Sequence, residues 1–112
     1  MYTSKELSKK IAEAGFKAGS KALWSFNKND KNKWSLVFPT IMTIKTYSNV
    51  LSAYDIIYDI CIKYPKQFFG EDEDEYGFYY EQYTQEIFYL LQQGKTQKEI
   101  EDYIIKNSIL LK

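Results

Sequence analysis

ALWSFNKNDKNKWSLVF, residues 22–38, decides the fold. Ala22, Trp24 and Phe26 alternate with Leu23 and Ser25. Trp34, Leu36 and Phe38 likewise alternate with Ser35 and Val37. A period of two places successive side chains on opposite faces of a strand. Between the runs lies NKNDKN, whose Asn and Asp side chains favour turns. The stretch reads as a β-hairpin. After Pro39, IMTIKTY (41–47) is rich in β-branched residues and predicts a third strand. The expectation is an antiparallel hairpin or three-stranded meander.

The flanking segments are helical in pattern. Upstream, Thr3-Ser4-Lys5-Glu6 fits a capping box with Thr3 as N-cap, and Leu7, Ile11 and Ala14 follow at helical spacing before Gly15. Downstream, Ser52-Ala53-Tyr54-Asp55 predicts a helix capped at Ser52. It should kink at Pro65 or end near Tyr64. Its polar stripe is narrow (Asp55, Asp59, Lys63), so a helix buried on nearly every side is expected, by the rest of the chain or by another subunit. A third helix is predicted over 79–93, with Tyr80, Tyr83, Ile87, Leu90 and Leu91 inward and Gly94 as its stop. Thr96-Gln97-Lys98-Glu99 is a second capping box. The helix it opens turns Ile100, Tyr103 and Ile104 inward and stops at Asn107, and Ile109 and Leu110 then tuck against the core. The fold class is therefore α+β: an N-terminal helix, a small antiparallel sheet, then three helices packed on it. A chain of 112 residues points to a single globular domain, 1–112.

Composition removes several functions. Histidine is absent, and all fifteen basic residues are lysine. Ser-His, Cys-His and His-metal sites cannot be assembled from one such chain. Without arginine the usual bidentate reader of guanine and phosphate is missing. The one cysteine, Cys61, lies in the apolar run DIIYDICIKY and reads as a small buried hydrophobe. No apolar segment approaches a membrane span and the N-terminus has no apolar signal region, so a soluble, cytoplasmic protein is expected. No cofactor, metal, catalytic residue or small-molecule substrate is evident, and the chain reads as a non-enzyme.

Two features point to partners. Tyrosine, phenylalanine and tryptophan make up 18% of the residues, more rings than a small core readily hides. Tyr54, Tyr58 and Ile62 on the central helix, with Tyr76, Phe78 and Tyr79 ahead of the next, are the candidate partner-binding residues. The second feature is charge. Residues 1–50 carry nine lysines and three acids, whereas 51–112 carry six lysines and twelve acids. Such a division can steer association and favours antiparallel self-pairing, as a homodimer.

The acidic run Glu71-Asp72-Glu73-Asp74-Glu75 has acids at alternate positions, but Gly77 and the rings after it do not fit a calcium loop. A solvated loop before a helix N-terminus is the favoured reading. Asp55 and Asp59 lie one helical turn apart, and with no third group beside them they read as a solvent stripe. Lys5, Lys9, Lys10, Lys17 and Lys21 would supply non-specific phosphate contacts if the lysine-rich half served a nucleic-acid-associated regulator. LLQQGKTQKEIEDYI resembles the scaffold half of the helix-turn-helix of LuxR-type regulators. The residues after Ile100, however, include Glu101 and Asp102 and no arginine, a departure in the part that would read bases. Binding to nucleic acid is therefore not the favoured expectation.

TSKELSKKIAEAGF, AYDIIYDICIKYPKQFFGE and EIFYLLQQGKTQKEIEDYI, about half of the chain, resemble short uncharacterised proteins of phages and prophages of Bacteroidota. Pro65 stands where that pattern has alanine. The resemblance supplies a setting and no site or activity; inhibition of a host factor or defence is a use that the setting alone suggests.

Overall fold

The computed structural model describes residues 1–16, 20–27, 29–30, 32–39, 47–70 and 76–112. They divide into two compact units, Tyr2–Tyr54 and Asp55–Lys112, the latter including Met1. The class is α+β, as the alternating and helical patterns predict.

The first unit contains helix α1 (Lys5–Glu13) and strands β1 (Ala22–Asn27), β2 (Trp34–Val37) and β3 (Tyr47–Ala53). The hairpin forms as read, with Leu23 opposite Val37 and Phe26 opposite Trp34. β1 is the central strand: β3 pairs antiparallel along its other edge, giving the order β2-β1-β3 instead of a sequential meander. The predicted third strand, 41–47, lies outside the described residues except for Tyr47. The observed strand occupies the segment assigned to the linker and helix cap. Its register shifts between Trp24 and Phe26, so β3 bulges there.

The start of α1 also differs. Ser4, not Thr3, is the N-cap, its side chain accepting from the Leu7 N–H. Thr3 is buried instead as a tie between the N-terminus and the end of β3. Its N–H donates to Tyr54 O at 2.8 Å, and its Oγ1 accepts from the Tyr54 N–H at 3.0 Å. The same Oγ1 lies 2.7 Å from buried Ser8 Oγ, and the Trp24 indole N–H donates to Thr3 O at 2.8 Å. All these polar groups leave water with partners, as burial requires.

The second unit contains a π-wound helix α2 (Ile56–Lys63) and helices α3 (Pro65–Phe69), α4 (Tyr76–Gln92) and α5 (Gln97–Asn107). Ser52 is not a cap, because the strand runs on to Ala53. Asp55 caps α2, its Oδ1 accepting from the Ile57 and Tyr58 N–H groups. Pro65 ends α2 as predicted and starts α3, where its missing N–H costs nothing. α5 opens with the capping box at Thr96 and Glu99. Gly94 takes the positive φ that closes the preceding helix. The core of this unit is Ile56, Ile60, Phe68, Ile87, Ile100 and Ile104. Phe69 stacks on Tyr83 with centroids 3.9 Å apart. Ile109 donates its N–H to Phe68 O, yet its side chain stays exposed instead of entering the core.

Candidate interaction surface

Helix α2 is the element whose exposure carries information. Its sequence offers almost no polar face and predicts burial on nearly every side. Ile56, Ile60 and Cys61 are buried, but Tyr58 is 56% exposed and Ile62 37%. They are four residues apart, so they share one side of the helix. Among the described residues, Tyr58 and Ile62 thus leave an apolar side of α2 exposed.

α4 adds to it. IFYLL, 87–91, is five consecutive apolar residues in a helix, and a helix packing one face cannot hide them all. Ile87 is buried and Leu90 and Leu91 half-buried, which leaves Phe88 47% and Tyr89 54% exposed. Thr84 Oγ1 donates to Tyr80 O at 3.0 Å and lies 3.4 Å from Cys61 O, so Thr84 marks the flank of α4 against α2. Phe88 follows one turn later on that flank. Phe88 and Tyr89 are not among the sequence-predicted partner residues; the signal for them is the length of the apolar run, which exceeds one buried helix face.

The other candidates fall as follows. Tyr54 is buried and is not part of an exposed surface. It follows a strand instead of lying on a helix, and its ring meets Phe16 edge-on at 5.6 Å. Tyr76, Phe78 and Tyr79 belong to the first turn of α4, but their side chains lie outside the described residues, as does the acidic run 71–75. In the first unit, Phe38 and Val50 are exposed, Phe38 meeting the Tyr2 ring edge-on at 5.5 Å. Of the lysines, Lys9, Lys10 and Lys21 are exposed and Lys17 lies outside the described residues. Lys5 sits over the Trp34 ring at 5.2 Å, a cation–π contact.

The acidic and thiol groups have structural work. Asp55 caps α2, and Asp59 Oδ2 accepts from the Asp55 N–H at 3.0 Å. The pair therefore serves backbone donors at a helix N-terminus and is not a solvent stripe, since Asp59 is buried. Burial, aided by the negative charge of Asp55, pushes the Cys61 thiol up to about 12. It is a neutral, inert packing group at ordinary pH. Among the described residues no three His, Cys, Asp or Glu side chains converge as a metal site would need, and no helix is long and apolar enough to cross a membrane.

No family model, curated protein or solved structure matches the chain.

Proposed function

We propose that the chain is a small, non-enzymatic protein-interaction module that docks a protein partner through the exposed rings of its second unit. Its setting is cytoplasmic and of the phage or prophage kind, where it acts on a host factor or on itself. The observation that carries this reading is the exposed apolar set Tyr58, Ile62, Phe88 and Tyr89 on α2 and α4. Aromatic residues of this kind are enriched at protein interfaces, and each can bury a large area at low entropic cost. The carboxylate pair best placed for acid–base chemistry is occupied with capping α2. That weighs toward binding and away from catalysis.

The test is a stoichiometric complex, with itself by light scattering or with a protein retained from host lysate by the immobilised chain. The Tyr58→Asp/Phe88→Asp variant should lose the complex while keeping its circular dichroism spectrum and melting temperature. An equally strong complex from that folded variant would refute the reading. A second reading, a nucleic-acid-associated regulator, draws on exposed Lys9, Lys10 and Lys21 in the lysine-rich first unit. It requires a gel shift of DNA or RNA that fades as salt rises.

A further inference from the structure

We propose that the partner is an acidic, apolar peptide segment that sets a carboxylate on Lys63 and apolar side chains on Tyr58 and Ile62. The inference rests on the interaction reading above and names the chemistry of its occupant. Two observations carry it: the winding of α2, and the sign of the charge that this winding turns outward.

In an α-helix of 3.6 residues per turn, Tyr58 and Lys63 would lie about 140° apart around the axis. Read at that period, Lys63 belongs to a stripe with Asp55 and Asp59. The helix is instead π-wound from Ile56 to Lys63, and the Ile60 N–H donates to Asp55 O, five residues back, at 3.2 Å. Residues five apart then sit nearly one above the other. Lys63 therefore joins Tyr58 and Ile62 on one side of the helix, and all three are exposed. The Lys63 ammonium lies 5.1 Å from the centroid of the Tyr64 ring. Tyr64, first through a hydrogen bond and then through its charge, holds the Lys63 pKa above the usual lysine range, and Asp59 and Tyr58 act in the same direction.

The acids of α2 are turned away from this side. Asp59 is buried, its Oδ2 accepting from the Asp55 N–H, and half-buried Asp55 accepts from the Ile57 and Tyr58 N–H groups. From Ile56 to Gly70 the exposed charged residues are Lys63 and Lys66, both positive. On α4, Phe88 shares with Thr84 the flank against α2. Glu86, two residues from each, lies roughly 200° around the helix from both and instead acts on Tyr103 of α5. Exposed Glu81 lies a further two turns from Phe88, roughly 10 Å along the axis.

A face of phenol, aliphatic and ammonium groups complements a segment in which Asp or Glu alternates with Leu, Ile or Phe. Two lysines are too few to follow a phosphate backbone, where affinity comes from many such contacts. One carboxylate flanked by apolar side chains matches what is offered.

Selection from a displayed random-peptide library on the immobilised full chain reads the chemistry of the occupant directly. The selected peptides should interleave acidic and apolar residues and bind less tightly as salt rises. Lys63→Glu should weaken them at least about ten-fold, because like charges would then meet. Lys98→Glu, the same change at an exposed position of α5, should leave their affinity nearly unchanged. Both variants should melt with the wild type. Selected peptides without acidic residues, acidic peptides that bind Lys63→Glu as tightly, or a failure to select any peptide overturns the proposal. So does a second copy of the chain, or a single-stranded oligonucleotide, that holds this face and is lost in Lys63→Glu. A complex insensitive to Lys63→Glu but lost in Tyr58→Asp/Phe88→Asp removes the acidic partner and leaves the interaction reading standing. A complex that neither variant weakens removes both.

Discussion

Replacing Thr3 with valine removes one hydroxyl from the first unit and almost nothing else. Thr3 is fully buried, and its Oγ1 is shared between Ser8 Oγ at 2.7 Å and the Tyr54 N–H at 3.0 Å. Valine fills the same volume, so the cost is polar and not a cavity. The Tyr54 N–H loses this acceptor inside the protein, and a buried group so stranded costs about 1–3 kcal/mol. Ser8, also buried, loses its hydroxyl partner, which places the total near 2–3 kcal/mol. At the usual unfolding entropy per residue, 112 residues give a melting shift of about 4 °C per kcal/mol, hence a fall of about 8–12 °C. Thr3→Ser is the control: it keeps the hydroxyl and loses one methyl, for about 1 kcal/mol. Thermal unfolding followed by circular dichroism measures both. Amide exchange supplies the local readout, since the Tyr54 N–H should lose about 5- to 150-fold of its protection in the valine variant. If Thr3→Val melts with the wild type, or if Thr3→Ser is the worse of the two, the tie between the N-terminus and β3 does not work as described.

Other outcomes follow from the same structure. Thr96→Ala should cost about 1 kcal/mol by removing the α5 capping box, a change visible in urea titration. Glu99→Gln should cost less, because the amide can still accept from the Thr96 N–H. Gly70→Ala should destabilise by about 1 kcal/mol or more: φ is +56°, and a new Cβ would meet Ile109 Cδ1 at 2.5 Å. Trimming Ile109 to alanine should relieve the contact but not the backbone strain. Native protein should leave Cys61 unlabelled by a thiol reagent near pH 8, and denaturant should expose it at once. Fast stoichiometric labelling of the native chain would contradict its burial. Because the folded Cys61 thiol titrates near 12 instead of 9.0, the unfolded chain releases that proton first. Stability should therefore fall as pH rises from about 9 toward 12, by at most about 1.4 kcal/mol per pH unit from this group. Tyr103, pushed up to about 12 by burial and then by Glu86, adds loss of the same sign above pH 10, and Cys61→Ala should make the slope shallower.

How far the sequence could be read depended on whether the determining signal was local. The hairpin was legible because alternation and a polar turn lie within seventeen consecutive residues, 22–38. The second capping box was legible because its two partners are three residues apart. β3 was not, because its bulge breaks the period of two and YSNVLSA carries weak strand propensity outside β1's company. Thr3 looked like a cap because its spacing to Glu6 fits one. Its actual partner, Tyr54, is fifty-one positions away, and no local pattern records that. Tyr54 was placed on a helix face for the same reason, since the strand that precedes it displaced the helix start to Asp55. For the surface, Tyr58 and Ile62 were recognisable as surplus apolar residues on a helix with little polar face. Phe88 and Tyr89 are equally recognisable from the unbroken apolar run IFYLL, 87–91, because it is wider than a helix's buried face.

Hydrogen–deuterium exchange across the association transition tests the surface directly. As the chain passes from monomer to complex, segments 57–63 and 84–92 should slow together, in register with complex formation by light scattering. A complex that forms while both segments exchange as they do in the monomer would contradict the account.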